Sequence, residues 1–148
     1  MSRISTGVSD VAAALPGQAD VSVVRSAWGI TRLLYLDDRI ELTRLAIRRG
    51  GYSSRHHHRS KTNAFLVVQG RLLVITYAGA DQTRRILTPS DGIHMIPAGA
   101  EHRFVALEDA TVAYELSYAT PGSTIRRSDI LRLDCNGVFD GDASAFPG

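Results

Sequence analysis

One cysteine, one lysine and one tryptophan are all that a chain of 148 residues contains of these types. The lone thiol, Cys135, excludes an internal disulfide, and so close to the C-terminal end it reads as a spectator and not a nucleophile. No apolar run approaches the ~20 residues that a membrane helix needs. Asp10 interrupts what would have to be the apolar core of a secretion signal, so the N-terminus reads as a polar tail and the cytoplasm as the expected compartment. Positive charge comes from sixteen arginines and Lys61, for a net charge of +2. These arginines are scattered along the chain and form no stripe, which argues against nucleic acid and against a membrane surface as partners. What remains is ordinary: 44% hydrophobic and 22% charged residues, in a length that fits one domain able to bury a core without cross-links.

Residues 1–20 are small and polar, with a possible short helix capped by Ser9 and ended by Pro16-Gly17; they are expected to form a flexible arm. From Val21 the texture changes to short β-rich segments separated by turn residues. Strands are expected over 21–24, 31–36, 41–48, 64–69, 71–77, 84–87, 93–96, 102–107 and 111–118. Breaks such as Gly50-Gly51, Ala78-Gly79-Ala80-Asp81 and Pro89-Ser90-Asp91-Gly92 carry turn chemistry. Repeated short strands at this spacing indicate an antiparallel sandwich or barrel over residues 21–137. The segment Arg71–Tyr77 is apolar on both faces, so a second sheet or subunit is expected to cover its outer side, and a homodimer is the expected assembly. Ser128–Leu133 could form a short helix along the barrel, and residues 138–148 read as a loose tail.

The chemistry-bearing stretch is Arg55-His56-His57-His58-Arg59-Ser60-Lys61-Thr62-Asn63. Side chains alternate along a strand, so His56 and His58 point one way and His57 the other, as suits two imidazoles gripping one metal ion.

The spacing Gly50-(x)5-His56-x-His58-(x)4-Asn63-(x)6-Gly70 resembles the first signature of the cupins, which carries Glu where this chain has Asn63. Pro97-Ala98-Gly99-Ala100-Glu101-His102 is similar to the second signature, with Ala106 in place of its later Asn. The resemblance implies an all-β fold, a cupin-type jelly-roll barrel (double-stranded β-helix). Its interior would hold one divalent ion, zinc, nickel, manganese or iron, on His56, His58 and His102 with Asn63 in the fourth position. Physically, two histidines on one strand face and a third from a strand 44 residues on (102 minus 58) would enclose an ion from two sides and leave positions open. Three neutral imidazoles leave the ion's charge uncompensated, which favours an anionic ligand and lowers the pKa of bound water.

A closer likeness runs over roughly residues 27–137. Ala27-Trp28-Gly29, Arg44 with Leu45 and Ile47, Ile96 to Phe104, Tyr114-Glu115-Leu116 and Ser128 to Asp134 look like the cupin module of type II mannose-6-phosphate isomerases. This implies metal-assisted interconversion of an aldose phosphate and a ketose phosphate, although that family's site uses Gln, His and Glu where this chain has His56, His58 and Asn63. Under that reading a base must move a proton between adjacent carbons. Glu115, mid-strand in an apolar segment, is the first choice, Glu101 the second, and an inward-facing His94 a proton carrier. Lys61, Arg103 and Arg44 are the candidates for holding a substrate phosphate or other anion. Two further readings stay open: an Fe(II)-dependent dioxygenase with an all-histidine site, and a non-catalytic module that binds a small sugar or anion.

Overall fold

The computed structural model describes residues 22–148, in which thirteen short strands and one 3-10 turn form two antiparallel sheets. The expected arm, the Ser9-capped helix and Val21 lie outside the described residues. β1 (Val23–Ser26), β2 (Gly29–Leu36), β3 (Ile40–Ile47), β4 (Gly51–Tyr52), β5 (His56–His57), β6 (Lys61–Gln69) and β7 (Leu72–Ala78) follow in chain order. Next come β8 (Asp81–Leu87), β9 (Ile93–Ile96), β10 (Glu101–Ala106), β11 (Thr111–Ala119), β12 (Leu131–Arg132) and β13 (Gly137–Val138). The first sheet runs β1-β2-β3-β11-β6-β9. In the second, β10 pairs with β7, and β7 with β8; β10 also pairs with β4 and β5, which are extended in turn by β13 and β12. Among the described residues, no helix is long and apolar enough to cross a membrane.

Alternation decides what each strand buries. On β3, Glu41, Thr43, Leu45 and Ile47 face inward and are buried while their neighbours are less so. The shared interior is filled by Trp28, Leu45, Phe65, Val67, Leu72, Val74 and Phe104, with Trp28 edge-on to Phe104 at 5.1 Å between ring centroids. Such edge-to-face pairs add about 0.5–1.5 kcal/mol beyond the area they bury. The turn from β3 into β4 requires glycine at position 50. Its φ is +75°, and a Cβ there would lie 2.2 Å from the carbonyl oxygen of Phe139.

β7 is apolar on both faces, as its sequence indicates, but its second cover comes from within the chain. Leu72 and Val74 face the main core, whereas Leu73 and Ile75 pack with Val105, Leu107, Ala143 and Phe146 in a second cluster. Residues 138–148, expected to be loose, thus supply two buried side chains. Asp142 caps the turn Ala143–Ala145 by accepting from the Ser144 amide, and Phe139 and Tyr52 stack around Phe146. The apolar outer side of β7 therefore carries no information about a second subunit.

The expected helix over Ser128–Leu133 is absent. The chain turns at Arg127-Ser128 and then runs as β12, with Leu131 opposite His57 and Arg132 opposite His56. Its backbone bonds are taken up by β5: the Leu133 amide donates to the Arg55 carbonyl, and the Arg55 amide donates to Asp134 Oδ1 at 2.6 Å. A six-residue helix is only marginally stable in water, so an unpaired strand edge wins.

Candidate metal centre

β5 is two residues long and exists because both its edges are paired, to β10 on one side and β12 on the other. His102 of β10 lies directly opposite His56, so the two rings leave the sheet side by side on its inner face. Their centroids are 4.5 Å apart, and that of His58 lies 5.1 Å from His56 and 5.7 Å from His102. One ligating nitrogen from each ring can be chosen so that all three lie within 4.8 Å of one another.

The hydrogen bonds behind the rings fix which nitrogen that is. His56 Nδ1 is 2.7 Å from the Ser54 carbonyl, His58 Nδ1 is 2.5 Å from the Asp129 carbonyl, and His102 Nδ1 is 2.9 Å from the Ala100 carbonyl. A carbonyl oxygen only accepts, so each Nδ1 carries the proton and each Nε2 presents a lone pair. His102 Nε2 is buried with no hydrogen-bond partner among the described residues. A buried acceptor left without a donor costs roughly 1–3 kcal/mol, and its place among three imidazoles, each with its other nitrogen held by a backbone carbonyl, is the donor chemistry of a divalent ion. Burial holds all three neutral: it pushes His56 down to about 3, with His102 adding to the effect. His58 is lowered to about 4, against the opposing bond to Asp129, and His102 is lowered as well. The residues present fit a metal ion.

Asn63 stands beside this cluster but turns its oxygen away. Its Nδ2 donates to Glu115 Oε1 at 2.6 Å and lies 3.1 Å from His58 Nε2, while Oδ1 accepts from Ser117 Oγ at 3.0 Å. A carboxylate neighbour selects the amide NH2, so the oxygen needed for the expected fourth ligand faces Ser117. Asn63 is therefore a link between His58 and Glu115.

Above the histidines opens a cavity of about 230 Å³ whose lining includes His56, His58, Trp28, Thr43, Phe104, Glu115 and Lys61. Glu115 is pushed up to about 7 by burial, with Glu41 adding to the effect and the Lys61 charge opposing it. Of the other residues singled out from sequence, four do not line this cavity. Arg103 and Glu101 share β10 with His102 but alternate onto its other face. There Arg103 pairs with Asp134 and lies over the Tyr52 and Phe146 rings, while Glu101 accepts from Arg55 Nε at 2.8 Å. Arg44 falls between the inward-facing Thr43 and Leu45 and sits opposite Tyr114 and Arg32 on the outer side of the first sheet. His94 lies opposite Phe65 on β9, partly buried and held low by desolvation and by Arg85. His57 points away from the triad and pairs across to Leu131. A larger groove of about 590 Å³ runs outside, between Arg59, Ser123 and Arg126, and contains none of the histidines.

Sequence reasoning missed Glu41, Arg127 and Arg132, which also line the cavity. Glu41 had a signal in the alternation Glu41-x-Thr43-x-Leu45-x-Ile47, which puts a carboxylate on a buried face. The arginines had none, because Arg127 arrives on the connection after β11 and Arg132 on the two-residue strand β12.

At the level of sequence alone, no family model and no curated protein matches the chain. Solved structures do match in shape. The capsular polysaccharide assembling protein CapF of Staphylococcus aureus superimposes with a TM-score of 0.65 at 18% identity, over 79% of this chain and 35% of that one. Oxalate decarboxylase of Bacillus subtilis gives 0.63 at 15% identity, over 77% and 30%. The chain has the cupin fold. It spans about a third of the length of these neighbours, and at such identities the likeness concerns architecture alone. Segments as distant as 56–58 and 102 meet because β5 and β10 are paired neighbours in the second sheet and share its inner face.

Proposed function

We propose that this cupin is a metal-dependent enzyme acting on a small polar or anionic substrate, with isomerisation of a sugar phosphate as its reaction. The observation that carries the reading is the convergence of His56, His58 and His102, each able to offer one ring nitrogen, beside a cavity lined by His56, His58 and the carboxyl group of Glu115. A divalent ion held by His56, His58 and His102 would supply Lewis-acid polarisation of a substrate oxygen. Glu115 would take a proton from the hydroxyl-bearing carbon beside the substrate carbonyl and return it to the former carbonyl carbon, while the hydroxyl proton passes to the former carbonyl oxygen; the carbon transfer is a task suited to a carboxyl group raised to about 7. Asn63 holds Oε1 of that carboxylate, and the apolar side of the cavity, Trp28 and Phe104, limits water. A cavity of about 230 Å³ lies below the ~300–1,000 Å³ of sites for drug-sized ligands, which restricts the substrate to a compact molecule. The names of the neighbours, one concerned with a capsular polysaccharide and one with oxalate, are compatible with a polar or anionic substrate.

A second reading follows from the donor set. The metal-ligand group contains three histidines and no carboxylate, which suits Fe(II) oxygen chemistry on an all-histidine site. One panel separates the two readings. Natively purified protein is analysed for metal, then assayed for mannose 6-phosphate and fructose 6-phosphate interconversion with zinc, nickel or manganese, and for oxygen uptake with iron. Turnover of the sugar phosphates that is lost in Glu115→Gln, with metal content unchanged, supports isomerisation. Oxygen uptake without sugar turnover replaces it with the oxygenase, and stoichiometric ligand binding without any turnover refutes both.

A further inference from the structure

The only lysine of the chain is buried in the cavity wall. Lys61 is the first residue of β6, on the same face as Asn63, and its side chain is 7% exposed. Lysine is almost never buried without a partner, and here the partner is shared. Glu41 Oε2 lies 3.4 Å from Lys61 Nζ, while Oε1 of the same carboxylate accepts from Arg127 Nε at 3.2 Å. Both distances exceed the ~2.7–2.9 Å of a closed charge-assisted bond. One carboxylate thus stands between two cations, and Arg132 adds a third cation to the same lining. An ammonium group has three donors, and among the described residues Nζ makes one hydrogen bond, the long one to Glu41. Burying such an arrangement costs stability relative to apolar residues of the same size, which points to a ligand that the cations serve.

We propose that Lys61 and Arg127 are the recognition pair for the anionic group of the substrate, a carboxylate or phosphate, with Glu41 as the internal carboxylate that holds the two cations apart and in place. This deepens the metal-enzyme reading and rests on it for the rest of the substrate. Lys61, His56, His58 and Glu115 line the same cavity. An anion seated on Nζ therefore has its remaining atoms directed over the histidine cluster and the carboxyl group. Arg127, 43% exposed at the side chain, stands at the outer side of the pair, where an entering anion meets it first.

Because Lys61 is unique, the test can be read at that residue. Inorganic phosphate and malonate are titrated calorimetrically into metal-loaded and metal-stripped protein, wild type, Lys61→Met and Lys61→Arg, with mannose as the uncharged control. In parallel, an amine-reactive acylating reagent is applied to the wild type and modification of Lys61 is followed by peptide mass mapping with and without each anion. Weakening by ~10–100-fold in Lys61→Met, the range expected for a lost charged hydrogen bond, is the expected result. Lys61→Arg retains binding, metal content is unchanged, and the anion slows acylation in the wild type. Which of the two anions binds decides between phosphate and carboxylate. Wild-type affinity in Lys61→Met, or acylation that neither anion slows, overturns the proposal. Lys61-dependent binding that persists in stripped protein, with no turnover under any metal, leaves the recognition pair standing and removes the metal-enzyme reading instead. The labelling experiment uses the wild type, so it reports even if Lys61→Met fails to fold.

Discussion

The three neutral histidines make the metal-free protein sensitive to acid in a window that its carboxylates do not dominate. In the unfolded chain these imidazoles titrate near 6.5; in the folded chain His56 titrates near 3 and His58 near 4, with His102 also lowered. Above about pH 6.5 they are neutral in both states and the full stability is present. As pH falls below 6.5 the unfolded chain takes up protons that the folded chain refuses, so stability is lost progressively until pH approaches 4 to 3. Glu115 acts in the opposite sense. Its folded carboxyl, near 7 against an ordinary 4.5, keeps a proton that the unfolded chain releases between those values. Two protons on the unfolded side, from His56 and His58, against one on the folded side leave a net of about one, a slope of roughly 1.4 kcal/mol per pH unit, to which the lowered His102 adds in the same direction. From pH 6.5 to pH 5 metal-free protein should lose on the order of 1.5 kcal/mol through His56, His58 and Glu115 together, with His102 adding to the loss, against the 5–15 kcal/mol typical of a domain. Urea unfolding of chelator-treated protein at half-unit steps between pH 7.5 and 4.5 measures this directly. Glu115→Gln should steepen the slope, the double variant His56→Gln/His58→Gln should abolish or reverse it, and added metal should flatten it. A profile that stays level between pH 7 and 5, or a slope unchanged in the double variant, would refute the claim that these rings are buried and neutral.

His102→Ala should reduce metal affinity by at least the ~10–100-fold seen when even a supporting hydrogen bond to a ligand is lost, read as metal content after dialysis. Asn63→Ala should keep metal content near the wild-type level while lowering turnover, because Asn63 Nδ2 holds Glu115 and its oxygen faces Ser117; metal loss equal to that of His102→Ala would show instead that residue 63 is a ligand. Phe146→Ala empties the centre of the second cluster and should cost about 3–5 kcal/mol in urea unfolding. A cost below ~1 kcal/mol would mean that the C-terminal segment does not cover β7 in solution.

Much of this architecture is legible along the chain because a strand's period of two is written in its own residues. The alternation over Glu41–Ile47, the continuous apolar run of β7 and the pair His56 and His58 each declare which side they bury. The same rule separates His102 from Glu101 and Arg103, and Arg44 from Leu45; charge and nearness in sequence had made those residues candidates, and alternation places them on the other face. Lys61 and Glu115 reach the cavity because each sits at an inward position of its strand. The short strands β4, β5, β12 and β13 are not legible, since two residues carry no periodicity and their extended form comes from pairing across more than forty positions.

By itself the sequence determined the longer strands, the cupin barrel that they and the two motifs suggest, and the three imidazoles, because these depend on local alternation and on spacing within a motif. The tertiary structure decided which nitrogen of each ring is free, that the Asn63 oxygen faces Ser117, and that Glu41 and Arg127 join Lys61 in one cavity. Those are properties of carbonyls and side chains brought together from segments far apart in the chain, and a contact that exists only after the sheets close leaves no periodic trace in the residues that make it.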